Sequence, residues 1–359
     1  MAKIDMLLKQ AKEMGASDLH IRAGLSPLVR IHGELHPLSE ARLSPEVCQE
    51  MLGEIMSPEQ QRMFQEQGEC DFAYAIPGIG RFRTNLFQQQ YGIGGVFRII
   101  PDRVLSLAEL HLPKGLARFA HLEKGLIVVT GPTGSGKTTT LAALIDLINE
   151  ERRCHILTIE DPLEFLHQNK KALITHREVG SHTRSFAQAL RSALREDPDV
   201  ILIGEMRDLE TISLALTAAE TGHLVLATLH TTTAAATVDR IVDVFPATQQ
   251  EQVRTVLAEV LKGVICQQLL RRADGKGRIA ALEILVATPA LANLIREGKT
   301  FQIPSIIQTG KREGMQTMDQ AIAELLRQKL ITPEEAYAKA IDKETFQRYL
   351  GSASFFRRQ

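Results

Sequence analysis

The chain has no tryptophan among its 359 residues, and aromatic side chains make up 5% of it. Proteins that hold single-stranded nucleic acid do so largely by stacking bases on aromatic rings above a basic groove, so this shortage argues against that class. The charge balance points the same way. Lys and Arg number 42 against 43 Asp and Glu, a formal net charge of −1, whereas proteins that coat a phosphate backbone carry a basic surface. Cysteines are few, at positions 48, 70, 154 and 266, and no two form a C-x-x-C pair. Zinc modules and disulfide frameworks are therefore not expected, and buried free thiols are. No apolar run reaches the about 18 residues that a membrane-spanning helix needs. The opening Met1-Ala2-Lys3-Ile4-Asp5 has no apolar signal core. The expectation is a cytoplasmic protein of two or three domains.

What is present is organised around Gly131-Pro132-Thr133-Gly134-Ser135-Gly136-Lys137-Thr138, which fits G-x-x-x-x-G-K-[ST]. Before it runs Leu126–Thr130, a short apolar, β-branched stretch that reads as a buried strand. After it runs Thr139 to Glu150, with Leu141, Leu144, Ile145 and Ile148 at helical spacing. Strand, glycine-rich turn and helix in that order make a phosphate cradle, because backbone N–H groups and the helix N-terminus face one anion. In such a cradle Lys137 reaches the β- and γ-phosphates, the Thr138 hydroxyl holds Mg2+, and Thr139 continues the binding segment.

Upstream, residues 3–14 carry a helical stripe, and Ser17–Arg22 and Pro27–Leu35 alternate like strands, with a turn at Gly33-Glu34. Pro45–Met56 and Pro58–Gln67 read as helices entered through Ser-Pro, and Cys70–Ile76, Arg81–Gln90 and Gly94–Ile100 as strands. The expectation is a small α+β domain over 1–100 and a linker over 101–117, bracketed by Pro101 and Pro113. From 118 onward strand-length apolar runs (Leu126–Thr130, His155–Glu160, Val200–Gly204, Leu224–Leu229) alternate with helices near 138–150, 184–195, 208–219 and 233–243. That is the pattern of a mostly parallel α/β sheet. Ala280–Leu285 is a candidate later strand. Short helices follow over 289–359, punctuated by Pro304, Gly310, Gly314 and Pro333.

Val200–Gly204 ends in Glu205, an acid at a strand's C-terminal edge, placed to hold a water for in-line attack or to bind a magnesium-bound water. Glu160, Asp161 and Glu164 crowd the end of another strand, suited to Mg2+ and water handling. His223 and His230 bracket the strand Leu224–Thr228. His230, at its C-terminal end, is placed to touch the γ-phosphate or relay nucleotide state, and His223 lies farther off. Arg81, Arg83 and Arg98 sit on strands of the first domain. They are either surface arginines of an exposed sheet or arginines that clamp a γ-phosphate from another domain.

Together these stretches resemble the secretion-ATPase superfamily of hexameric motors, and most closely its type IV pilus retraction branch. Asp18-Leu19-His20-Ile21 and Arg81-Phe82-Arg83 with Asn85 resemble the family's N-domain signatures. Gly131–Thr138 is similar to its Walker A, Ile159–Glu164 to its acidic box, Gly204-Glu205-Met206-Arg207-Asp208 to its Walker B, and Thr221-Gly222-His223 through His230-Thr231 to its histidine box. After Gln267-Gln268-Leu269-Leu270 there is no four-cysteine zinc insertion of the kind assembly and secretion ATPases carry. Ala290–Glu297 resembles the retraction motif Ala-Ile-Arg-Asn-Leu-Ile-Arg-Glu, differing at Leu291 and at Ala292, which replaces an arginine.

The resemblance implies an α/β protein: a RecA-like P-loop motor domain over 118–359, a smaller N-terminal PAS-like α+β domain, and C-terminal helices. It implies a homohexameric ATPase that binds ATP and Mg2+ between its domains, carries no structural zinc and binds no nucleic acid. The motor would work on an inner-membrane pilus platform protein, peripherally at the membrane's cytoplasmic face. Glu205 becomes the catalytic glutamate, Glu164 an acid near metal and water, His230 the γ-phosphate sensor, and Arg83 and Arg98, with Arg81 competing, the fingers. The alternatives are a pilus-assembly or type II secretion ATPase, a nucleic-acid translocase, and a regulatory nucleotide switch without motor output.

Overall fold

The computed structural model describes residues 2–31, 33–100 and 103–356. Met1, His32, Pro101, Asp102 and residues 357–359 lie outside that description; the sequence reading puts them at the domain start, in a strand, in the linker and in the helical tail. The chain divides into two compact units, Met1–Arg103 with Pro162–Phe165, and Val104–Asp161 with Leu166–Gln359. Among the described residues no helix is long and apolar enough to cross a membrane.

The first unit runs α1 (Lys3–Glu13), β1 (Asp18–Arg22), β2 (Leu28–Ile31), β3 (Glu34–Pro37), α2 (Pro45–Gly53), α3 (Pro58–Gln67), β4 (Glu69–Ile76), β5 (Gly80–Gln89) and β6 (Gly92–Ile100). Its described strands form one antiparallel sheet in the order β3-β2-β1-β6-β5-β4. Glu34, expected in a turn, opens β3 opposite Ile31. The Ser-Pro entries work as caps: Ser44 Oγ accepts from the Val47 N–H at 3.3 Å, and Ser57 and Gln60 close a capping box. Each such cap contributes about 1 kcal/mol.

Period-two alternation on β5 buries Phe82, Thr84 and Leu86 and turns Arg81 and Arg83 to the other face. The register sets Arg30, Asp18, Arg98 and Arg83 in one row across β2, β1, β6 and β5. Arg98 Nε donates to Asp18 Oδ1 at 3.0 Å, and Arg30 Nε stands 4.0 Å from Oδ2. One buried acid thus serves two arginines. Arg83, opposite Arg98, has no ion-pair partner among the described residues. Like charges set directly opposite each other cost stability, so the row is an electropositive strip kept at some expense. This unit also holds a cavity of ≈ 520 Å³ lined by Gln49, Glu50, Gln61, Gln65 and Gln88, with no positively charged side chain among them.

The second unit continues with α4 (Ala117–Ala120), β7 (Gly125–Thr130), α5 (Lys137–Glu151), β8 (His155–Glu160), β9 (Leu173–Glu178), α6 (Phe186–Ala193), β10 (Val200–Ile203), α7 (Leu209–Glu220), β11 (Leu224–Leu229), α8 (Ala234–Asp243), α9 (Ala247–Val260), β12 (Leu261–Arg271) and β13 (Arg278–Val286). There follow α10 (Pro289–Arg296), α11 (Ile303–Thr309), α12 (Met318–Arg327), α13 (Pro333–Lys339) and α14 (Lys343–Phe356). The sheet order is β13-β12-β7-β11-β10-β8-β9, parallel throughout except between β12 and β13. Every residue of β7, β10 and β11 is buried, which is why these strands read as unbroken apolar runs. The helices α5, α7 and α9 pack on β7.

Two strands escape the sequence reading. The run Leu173-Ile174-Thr175-His176-Arg177-Glu178 is polar because β9 is an edge strand, paired with β8 alone. The long β12 follows directly on α9, and its Gln267-Gln268 interrupts the apolar pattern. Beyond β13 the short helices divide between two cores. Leu291, Ile295, Ile303 and Ile307 join the main core, with Ala292 partly buried against it. The helices α12 to α14 close a separate small core on Leu270 and Ile279 through Ile322, Ile331 and Phe346.

At the β8–β9 edge two histidine rings stack, His167 on His176, with centroids 6.0 Å apart. His176 Nδ1 meets Thr158 Oγ1 at 2.9 Å, and the His167 backbone N–H donates to His176 Nε2 at 3.2 Å. His167 Nδ1 is buried 3.9 Å from Asp146, which Lys170 also holds. Burial, then His176, outweigh Asp146 and bring the His167 pKa down from 6.5 to about 4. The unfolded chain takes up this proton near the ordinary value and the folded chain only near pH 4. This share of stability is therefore complete above about pH 6.5 and is lost progressively as pH falls toward 4. Melting temperatures measured across that window are expected to fall in the wild-type chain and to fall less in His167→Phe. Equal slopes in the two proteins would discard this account.

Candidate active site

The loop 131–136 leaves the C-terminal end of β7 and enters α5. Gly131 adopts φ +142°, and a Cβ there would lie 2.2 Å from the Gln267 carbonyl oxygen and 2.8 Å from Ser135 Oγ. No side chain fits that space. Gly134, at φ +77°, faces open space within 4 Å. Its left-handed backbone suits glycine. Pro132, Thr133 and Gly134 are exposed, Gly136 caps α5, and Thr138 and Thr139 are partly buried in its first turn.

Gln267, 3% exposed on β12, braces the loop from behind. Its Nε2 donates to the Ser135 carbonyl at 2.6 Å and its Oε1 accepts from Thr140 Oγ1 at 2.7 Å. Ser135 Oγ is buried and has no hydrogen-bond partner among the described residues. An orphaned hydroxyl, an open glycine cradle and the N-terminus of a 15-residue helix fit a phosphate chain.

Lys137 Nζ donates to the carbonyls of Gly131 at 2.9 Å and Pro132 at 3.2 Å, and stands 3.5 Å from His230 Nδ1. On the far side of that ring, His230 Nε2 meets Glu205 Oε1 at 3.0 Å, and Glu205 Oε2 pairs with Arg207 Nη2 at 2.7 Å. An ammonium offers only donors. Nδ1 therefore accepts, and Nε2–H donates to the carboxylate. Burial pushes the Glu205 carboxyl up, but Arg207 and His230 together pull it below the ordinary glutamate range. It is ionised, and a carboxylate so placed can accept a hydrogen bond from water.

The backbone around Glu205 is pinned on both sides. Gly204 lets the Ile159 carbonyl come within 3.2 Å of where a Cβ would stand. Thr228 Oγ1 donates to the Gly204 carbonyl, and the Met206 N–H donates to the Thr228 carbonyl at 3.0 Å. A cavity of ≈ 280 Å³ opens here, lined by Glu205, Arg207, His230, Thr231 and Arg240.

The fold thus brings Lys137, His230 and Glu205 into one chain of contacts. His223 is not part of it: its Nδ1 meets the Ala218 carbonyl at 2.9 Å, at the end of α7. The acids after β8 diverge. Glu160 is buried, and Asp161 is exposed within reach of Arg207's charge. Glu164 falls in Pro162–Phe165, part of the first unit with Arg81, Arg83 and Arg98. Among the described residues no three His, Cys, Asp or Glu side chains converge to hold a metal on their own. Mg2+ here would rest on phosphate oxygens and water beside Thr138 and a carboxylate, which suits its coordination habits. Sequence reasoning missed Gln267, Arg207 and Arg240 as site residues. Arg207, two residues from Glu205, carried a local signal. Gln267 carried none, since it meets the loop across 127 to 132 residues.

The family model described as type II/IV secretion system protein matches residues 2–338. The chain belongs to that family. A twitching motility protein of Neisseria gonorrhoeae is 55% identical over 89% of this chain and 86% of its own length. The type IV pilus retraction ATPase PilT of Pseudomonas aeruginosa is 51% identical over 96% of this chain and 99% of its own. The crystal structure of the pilus retraction motor PilT with bound ADP superposes with a TM-score of 0.89 at 47% identity, covering 97% and 99% of the two chains. The α/β architecture expected from the sequence, a RecA-like motor domain with a smaller α+β N-terminal domain, is the one this secretion-system protein has.

Removing the brace behind the loop tests its role. Gln267→Ala forfeits two buried hydrogen bonds of about 1 kcal/mol each and is expected to weaken ADP binding by about tenfold. Titration calorimetry showing wild-type affinity would mean that the loop holds its shape without Gln267.

Proposed function

We propose that this chain is the ATP-hydrolysing motor that drives type IV pilus retraction, converting ATP and water to ADP and phosphate. The observation that carries the hydrolysis is the contact chain from Lys137 through His230 to an ionised Glu205. Retraction as the task is supported by the relatives named pilus retraction ATPase and twitching motility protein.

ATP supplies the phosphate chain, and the loop supplies amides, the Ser135 hydroxyl and Lys137. The ammonium exchanges the carbonyls of Gly131 and Pro132 for β- and γ-oxygens. Thr138 is the hydroxyl that would hold Mg2+, beside Glu205 and Glu164 as further carboxylates. Glu205 orients the attacking water. His230, released from Lys137, reports the γ-phosphate. Arg83 and Arg98, with Arg81, complete the site as fingers from an N-terminal domain, supported by the electropositive row that an isolated domain has no evident use for. The working form is a homohexameric ring in the cytoplasm. It is peripheral to the inner membrane and acts on a platform protein there.

Glu205→Gln should keep ATP binding within about threefold and lower kcat by more than about 100-fold. Cells carrying it should hold many pili that do not retract. Bald cells would assign the motor to assembly instead, and unchanged turnover would remove Glu205 from the chemistry. For the fingers, Arg83→Ala and Arg98→Ala should each cut kcat by about 10-fold or more with little change in nucleotide affinity. Wild-type turnover in both variants would sink that assignment.

A further inference from the structure

A buried polar chain runs behind the site, and the hydrolysis just described does not use it. Thr130, the last residue of β7, is fully buried. Its hydroxyl lies 2.6 Å from the Thr231 carbonyl and 2.7 Å from the Thr231 hydroxyl. Thr231 Oγ1 in turn meets Thr237 Oγ1 at 2.7 Å, and Thr237, inside α8, donates to the Thr233 carbonyl at 2.8 Å. The loop that carries His230 is therefore fastened on one side to the strand that leads into the phosphate loop.

On its other side the same loop is fastened to an acid. Glu283 lies on β13, opposite Cys266 of β12, and is 8% exposed. Its Oε1 accepts from the backbone N–H of Ala234, the first residue of α8, at 2.8 Å. Burial, helped by the charge of Asp319, leaves the Glu283 carboxyl above the ordinary glutamate range, although Ala234, Cys266 and the backbone of Met318 pull it the other way. Met318 is the first residue of α12, and that helix is tied to β13 beside Glu283. Gln316 exchanges backbone hydrogen bonds with Ile284 at 2.9 and 3.2 Å, and its Nε2 donates to the Leu282 carbonyl at 2.8 Å.

One carboxylate thus holds the N-terminus of the helix that follows the His230 loop, and the strand residue beside it, Ile284, is bonded to the segment that opens the C-terminal group. The positive end of α8 offsets part of the cost of burying it. An apolar side chain would fill the same space between sheet and helices, but it would leave the Ala234 N–H unsatisfied and the two helix ends independent. A packed, fully bonded element of this kind moves between discrete arrangements rather than bending, which is how a small shift at a site is carried to a distance.

We infer that Glu283 is a positioning residue for ATP hydrolysis, fixing the start of α8 and with it the His230–Thr231 loop, and joining that loop to the start of α12 so that nucleotide state reaches the C-terminal helices. The inference rests on the reading of the site as an ATPase.

The test uses the full chain, with ATP and ADP as the probes. Turnover is measured together with hydrogen exchange, with and without ADP. In the wild-type chain ADP should slow exchange at 131–138 and change it at 318–327. Glu283→Ala should lower kcat by about tenfold with KM within about threefold, keep the protection at 131–138 and lose the response at 318–327. Glu283→Gln keeps an acceptor for the Ala234 N–H and should regain most of both. Wild-type kcat in Glu283→Ala, or an undiminished response at 318–327, overturns the inference. So does a joint loss of kcat and nucleotide binding that glutamine does not rescue, since that is a plain structural role. If Glu283→Ala does not fold, Thr237→Val breaks the same chain without burying a charge. It should weaken the response at 318–327, and a full response overturns the inference. A wild-type chain without turnover or ADP protection would overturn the ATPase reading and the inference with it. A wild-type chain that shows both, beside an indifferent Glu283→Ala, overturns the inference alone.

Discussion

A carbonyl that passes 2.2 Å from where a side chain of Gly131 would begin sets the shape of the phosphate loop. The carbonyl belongs to Gln267, the residue after the stretch of β12, Leu261 to Cys266, that pairs with β7. Because β12 lies parallel to β7 at that point, its backbone and the Gln267 amide form a wall behind the loop. The front of the loop is left open, with nothing within 4 Å of where a Cβ of Gly134 would stand. Without that wall the glycines would be free to take many conformations, and a nest for phosphate would have to be ordered anew at each binding event.

On the open side of the loop the charges are arranged in series. Lys137, His230, Glu205 and Arg207 each hold the next, so no charge is left stranded in a partly buried place. The same series is suited to exchange. On the proposed reading, a phosphate that takes Lys137 frees His230 Nδ1, and His230 shares its other nitrogen with Glu205, the carboxylate proposed to orient water. Sensing and chemistry would then use one imidazole. The loop bearing that imidazole is held to β7 through threonine hydroxyls and to β13 through Glu283, so its position is set by strands of the sheet and not by exposed turns.

In the first unit the sheet face shows how strand pairing concentrates charge. Arg30, Asp18, Arg98 and Arg83 are far apart in the chain and fall into one row because four strands share a register. A single buried aspartate between two arginines leaves the row positive, which suits an anion better than it suits the isolated sheet.

Features whose cause lies within a few residues could be read directly from the sequence. The phosphate loop, the Ser-Pro caps of α2 and α3, the buried runs of β7, β10 and β11 and the acid after β10 all depend on local backbone preference or on a single strand's burial. The signals of β9 and β12 were lost for a physical reason. An edge strand is half solvated and so looks polar, and a strand that follows a helix without a break shows no turn residues. The contacts that complete the site were not legible. Gln267 behind the loop and Glu283 beneath α8 carry no local signal, and nothing near His230, itself singled out in the sequence, shows that it stands between Lys137 and Glu205; these contacts span 25 to 132 residues. By itself the sequence determined the glycine-rich turn between β7 and α5 and the acid that follows β10, because those depend on the backbone of one turn and the end of one strand. Only the tertiary structure decided how the acid, the histidine and the lysine are linked, because hydrogen bonds between distant strands depend on sheet order and register, and neither is written in any local run of residues.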